Sequence, residues 1–175
     1  MSSDQTPNDH DAVMIGLHST DAEKVIESLE ALRVAGRTSD IPVLLELLHT
    51  SQEKEIKSKI IGLLANLKEK SSIPVLVEAI QNERYAPELQ QLVSCCWENG
   101  LDFSTYLPVF VDLLIEKDFL VAFEAYTVIT NMEKTIDQRL IDVEIEKLDL
   151  AMFGVSDEKK VLILDVIDFL PSIGY

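Results

Sequence analysis

Ser39-Asp40-Ile41-Pro42-Val43-Leu44-Leu45-Glu46-Leu47-Leu48 recurs, 32 residues on, as Ser71-Ser72-Ile73-Pro74-Val75-Leu76-Val77-Glu78-Ala79-Ile80. A looser third copy, Thr105-Tyr106-Leu107-Pro108-Val109-Phe110-Val111-Asp112-Leu113-Leu114, follows 34 residues later when the prolines are aligned. A proline in the first turn of a helix gives up an amide that has no intrahelical partner and presets φ, and a Ser or Asp before it can cap. Ile41, Leu44, Leu45 and Leu48 fall at i, i+3, i+4 and i+7, the stripe of a helix that buries one face. A repeat of this length is one two-helix unit.

A second, more mixed helix is expected after each copy. Thr50 with Glu53 makes a capping-box pattern, and Ile56, Ile60, Leu63, Leu64 and Leu67 then repeat at helical spacing, predicting a partner helix over 51–68. The next, over 87–99, carries Leu89, Leu92, Val93, Cys96 and Trp97 and stops at Gly100, a left-handed cap. The third, over 118–133, carries Val121, Ala125, Val128, Ile129 and Met132. Upstream, Thr20 and Glu23 open a helix reaching Ala35, with Val25, Leu29 and Leu32 on one face and Gly36 at its end; it reads as the second helix of a degenerate first unit. Downstream, Thr135 with Gln138 starts a helix bearing Ile141, Ile145, Leu148 and Met152, and Ser156 starts a last one that runs to Leu170 before Pro171.

Residues 39–133 resemble HEAT repeats, whose first helix opens on proline and apolar residues and whose second has the form V-R-x-x-A-A-x-A-L-G-x-I. The best match is Ile56-Lys57-Ser58-Lys59-Ile60-Ile61-Gly62-Leu63-Leu64-Ala65-Asn66-Leu67. Lys57 stands where the family favours Arg, Ser51 where it favours an Asp that ladders between repeats, and Ala122 at the Arg position of the third copy. The resemblance implies an all-α fold, an α-α superhelix: a right-handed solenoid of about four helical hairpins plus end helices. Its motif is one of packing, so it specifies a fold far better than a function. Relatives of this class include scaffold and adaptor proteins, nuclear transport carriers, bilin-lyase-like repeats and DNA-glycosylase-like proteins.

Composition agrees with the helical reading. The chain has 175 residues, 47% of them apolar, which suffices for one continuous core, and 6 Gly and 6 Pro are too few for a sandwich of short strands. The opening Met1-Ser2-Ser3-Asp4-Gln5-Thr6-Pro7-Asn8-Asp9-His10-Asp11 has neither a basic n-region nor an apolar h-region. Residues 1–18 are therefore expected to form a flexible acidic tail and 19–175 a single repeat domain, with a cytoplasmic location. The longest apolar stretch, Val161 to Leu170, is broken by Asp165 and Asp168 and falls short of the roughly 20 residues that cross a bilayer.

Acidic residues number 31 against 15 basic ones, for a net charge of −16. That field opposes binding to a nucleic-acid backbone or to anionic lipid, and it draws in a basic peptide or protein patch as well as keeping the chain in solution.

No constellation for catalysis stands out. The histidines are His10, His18 and His49, the first two in or near the tail and the third at a helix end, where it can satisfy terminal carbonyls. Gly16, Gly36, Gly62, Gly100, Gly154 and Gly174 are isolated, so no phosphate-cradling loop forms. Acid pairs such as Asp165/Asp168 or Asp142/Glu146 read as solvated helix faces. Cys95 and Cys96 are adjacent, point about 100° apart on a helix and lack a completing ligand set, so both read as reduced thiols. The expectation is a protein that is not an enzyme, with no cofactor and no metal.

Function is then expected on the wall of second helices, the concave face of such an array. Ser58, Lys59 and Asn66 in one unit, and Phe123, Glu124, Thr127 and Asn131 in a later one, fall at its variable positions. Eight of the eleven aromatic residues, Tyr85 to Tyr126, lie within 42 consecutive positions. They are either a bulkier core or a docking surface. In the second case Trp97, Phe123 and Tyr126, with Glu98, Glu124 and Thr127 beside them, meet a partner carrying Arg, Lys or an amphipathic helix. The leading expectation is an adaptor or scaffold binding protein on this face. A ligand-handling or enzymatic repeat protein of the bilin-lyase-like or glycosylase-like kind, and a structural subunit of an assembly, are the alternatives.

Overall fold

The computed structural model describes residues 9–133 and 135–175. Among them ten α-helices follow one another as pairs: α1 (Asp9–Leu17) with α2 (Ala22–Ala35), α3 (Ile41–Thr50) with α4 (Lys54–Leu64), α5 (Ser72–Gln81) with α6 (Leu89–Glu98), α7 (Leu107–Glu116) with α8 (Phe119–Thr130), and α9 (Gln138–Ala151) with α10 (Asp157–Phe169). No strand forms among the described residues; a lone parallel bridge joins Ile136 to Gly174. The protein is all-α.

Pro42, Pro74 and Pro108 each lie in the first turn of their helix, α3, α5 and α7. The expected stripe of Ile41, Leu44, Leu45 and Leu48 is buried. In α4, Ile56, Ile60 and Leu64 are buried, while Leu63, and Leu67 just past the helix end, pack against the core from its edge. Burying side chains of this size contributes about 1.5–3 kcal/mol each, and these stripes hold the pairs together.

The pairs touch in sequence. Helix α2 packs on α4, α4 on α6, α6 on α8 and α8 on α10, a continuous row of second helices; on the other side α3 meets α5 and α7 meets α9. Polar contacts between pairs keep the same step along the chain. Lys59 reaches Glu30, Arg84 reaches Glu46, Lys68 donates to the Asn99 carbonyl and Lys147 reaches Asp112, spans of 29, 38, 31 and 35 residues. Lys57 lies 3.6 Å from Glu88 of the next pair. Glu88 is buried, so this contact ties neighbouring pairs together from inside.

Some local expectations are corrected. Residues 9–17, assigned to the flexible tail, are helical: Leu17 is buried, Val13 and Met14 pack against the core, and His10 Nε2 lies 2.9 Å from Asp40 Oδ2. The rest of that tail, residues 1–8, lies outside the described residues. The helix expected to open at Thr20 is capped one residue later by Asp21, whose carboxylate accepts from the Glu23 amide, because a carboxylate there also favours the helix dipole. Thr50 stays in α3, its hydroxyl bonded back to the Glu46 carbonyl, so α4 begins only at Lys54. His49 does not cap its own helix: its Nδ1 lies 3.1 Å from Glu88 and its ring meets Tyr85 edge-on. Gly100 does end α6 with φ +70°, the left-handed conformation that a side chain would oppose.

Candidate functional site

The aromatic cluster divides between the core and the surface. Phe103 and Phe110 are 1% and 0% exposed and meet edge to face, 5.7 Å between centroids, as part of the core. Trp97 on α6 and Phe119 and Phe123 on α8 remain 39%, 40% and 46% exposed. Tyr126 is half-buried. The division follows helical phase. On α8, Val121, Ala122, Ala125, Val128 and Ile129 turn inward, which leaves 119, 120, 123 and 127 on the outer surface of the second-helix row.

Carboxylates on neighbouring helices hold these rings. The Trp97 indole N–H donates to Glu124 Oε2 at 2.8 Å, tying α6 to α8. The Tyr126 hydroxyl donates to Asp165 Oδ2 at 2.5 Å, tying α8 to α10. Phe119, Phe123 and Tyr126 then form a continuous aromatic strip, their centroids 6.3 and 6.0 Å apart and their planes tilted by only 36° and 35°. Exposed Leu120 on α8, and Val161 and Leu164 around Asp165 on α10, extend the apolar part.

Of the residues singled out in sequence, Trp97, Phe123, Glu124 and Tyr126 are thus brought together. Glu98 is exposed next to Trp97, with its carboxylate accepting from the Ser94 hydroxyl. Thr127 sits on the same face, but its hydroxyl is bonded back to the Phe123 carbonyl at 2.9 Å and offers no free donor along that direction. Ser58, Asn66 and Asn131 are exposed and Lys59 is half-exposed. Sequence reasoning placed Asp165 on an ordinary solvated face; its role shows only in three dimensions, because its partner lies 39 residues away.

The electrostatics of this surface are acidic. Burial, and then the negative charge of Glu98, push the Cys95 thiol up to about 12. Cys96, wholly buried, is raised as well, and both cysteines are free thiols. The hydrogen bond to Asp165, reinforced by burial, holds the Tyr126 phenol above the usual tyrosine range. Each ring-holding carboxylate keeps a second oxygen that can accept from an incoming donor. Chemically the site offers ring faces, apolar side chains and anionic acceptors, a set suited to a cation carried on an apolar segment.

Among the described residues, no group of three or more His, Cys, Asp or Glu side chains is set out to hold a metal ion, and no helix is long and apolar enough to cross a membrane. No protein-family model matches the chain, and no curated protein matches it. Five solved chains do. One, the crystal structure of an engineered protein, is 18% identical with a TM-score of 0.48, over 95% of this chain and 81% of that one.

Proposed function

We propose that the chain is a HEAT-type right-handed helical solenoid acting as a non-catalytic protein-interaction module, with the row of second helices as its concave wall. Its partner is a basic, amphipathic protein segment that lays apolar side chains on Phe119, Phe123 and Trp97 and places Arg or Lys against Glu98, Glu124 and Asp165. One observation carries this reading: Trp97, Phe119 and Phe123 stand 39–46% exposed, while hydrogen bonds donated to carboxylates brace the rings of Trp97 and of the neighbouring Tyr126. A ring that served packing alone would be inside, and rings already held in place lose little freedom when a partner arrives. The −16 net charge supports the sign chosen for the partner, since it raises the encounter rate of a cationic segment.

The chain's single tryptophan lies within the site, so its emission reports docking directly. A synthetic Leu/Arg amphipathic peptide is expected to shift Trp97 emission saturably, more weakly as salt rises, while a Leu/Glu peptide of the same pattern does nothing. Phe123→Ala is expected to weaken that binding by about tenfold or more, the loss of a hot-spot side chain, with the melting temperature kept. Equal response to both peptides, or full binding by the variant, would remove the proposal.

A further inference from the structure

A cleft of about 570 Å³ opens at the other end of the molecule, between α2, α4 and the turn that leads into α3. This lies within the range of small-molecule sites, roughly 300–1,000 Å³. Its apolar lining comes from Leu29, Leu32, Ile41, Leu44, Leu63 and Leu67. Four of the chain's fifteen basic residues, Arg33, Arg37, Lys59 and Lys68, gather around it, against Glu30, Asp40 and Glu69.

The carboxylates are already engaged. Glu30 accepts from Lys59 at 2.5 Å and from Arg33 at 3.3 Å. Asp40 accepts from the Arg37 amide at 2.8 Å and faces His10 at 2.9 Å. Glu69 accepts from Thr38 at 3.0 Å and Ser71 at 3.3 Å. Lys68 spends one donor on the neutral Asn99 carbonyl, 2.8 Å away, and an ammonium has three. Neither its ammonium nor the Arg37 guanidinium has a carboxylate partner among the described residues. Four cations against three carboxylates leave the cleft one positive charge in surplus on a strongly negative chain.

Gly62 is an independent pointer. It lies inside α4, where glycine weakens a helix relative to alanine. Neither backbone nor packing calls for it: among the described glycines only Gly100 has positive φ, and a Cβ at Gly62 would meet nothing within 4 Å. What it supplies is open space in the wall of the cleft.

We infer that this cleft binds a small amphipathic anion, its apolar body on the leucine floor beneath Gly62 and its carboxylate or phosphate head between Arg37 and Lys68. Calorimetric titration of the full chain with decanoate, and separately with decyl phosphate, is expected to give saturable binding to one site. The tighter of the two identifies the head group. Decyltrimethylammonium and decanol are expected to bind about tenfold more weakly or not at all, the loss of a charge-assisted hydrogen bond. Gly62→Leu, which adds a helix-favouring residue on an exposed position and fills the cleft, is expected to abolish binding without lowering the melting temperature. Arg37→Ala, changed in a turn rather than in a helix, is expected to weaken it by about tenfold. Non-saturating uptake, equal binding of the cationic amphiphile, undiminished binding by both variants, or displacement of decanoate by an equimolar octaglutamate peptide would each overturn the inference.

Discussion

Phe110 and Phe123 have the same side chain and sit in successive helices, yet they belong to different parts of the molecule. Phe110 is fully enclosed and meets Phe103 edge to face, whereas Phe123 is 46% exposed. Phe110→Ala is expected to cost about 3–5 kcal/mol in urea unfolding, because the cavity it leaves cannot collapse, while Phe123→Ala should stay within about 0.5 kcal/mol. Equal losses would place both in the core. This partition was only half legible in the sequence. The aromatic crowding between 85 and 126 was plain, but which rings face outward depends on helical phase set by the neighbours Ala122 and Ala125, whose small side chains let α8 sit close. Tyr126 offers a second test at this scale. Its phenol is neutral when it donates to Asp165, so its raised pKa means that the contact stabilises the fold fully below the ordinary tyrosine value, about 10, and is lost as pH climbs through the higher folded value. In an alkaline absorbance titration one of the four tyrosines is expected to ionise above the ordinary range, and Asp165→Ala should bring it back down.

At the level of the element, the three central first helices announced themselves, whereas several other helices kept an end hidden. Pro42, Pro74 and Pro108 mark first turns because proline tolerates few other places in a helix. The other helices lack such a marker, and where several Ser, Thr and Asp candidates compete for a cap, Asp21 and Asp137, rather than Thr20 and Thr135, won by accepting from the amides two residues on. C-terminal ends depended on partners far along the chain. The last carbonyls of α7 are an example: Lys159, buried in α10, donates to the Lys117 carbonyl at 2.9 Å and to that of Ile115. No local pattern near 117 foretells it. Lys159→Met keeps the apolar stem but leaves those carbonyls without their donor, and is expected to cost about 1–3 kcal/mol in chemical denaturation. An unchanged midpoint would mean that water replaces the ammonium at no cost.

Across the whole molecule the governing quantity is charge. With −16 distributed over 175 residues, like-charge repulsion opposes compaction, and the scattered surface ion pairs offset little of it. Raising salt shortens the Debye length to about 8 Å at 0.15 M, so the melting temperature is expected to rise with sodium chloride from low salt upward; a fall would mean that ion pairs such as Arg84–Glu46 outweigh the repulsion. The pairwise order of the helices was readable from the 32-residue echo alone, whereas the terminal pairs, which lack the proline signature, were not. The last pair is closed by a feature no propensity reveals. The Ile136 amide donates to the Ile173 carbonyl at 2.8 Å, the Tyr175 amide to the Ile136 carbonyl at 3.1 Å, and Gly174 lies so near the Gln138 side chain that a methyl group there would collide with it. That clasp draws the two ends of the last pair together like a purse string, beside the fully buried Ile141 and Leu170. Slow hydrogen exchange at the amides of Ile136 and Tyr175 should therefore share one rate, a built-in clock for the opening of the final hairpin.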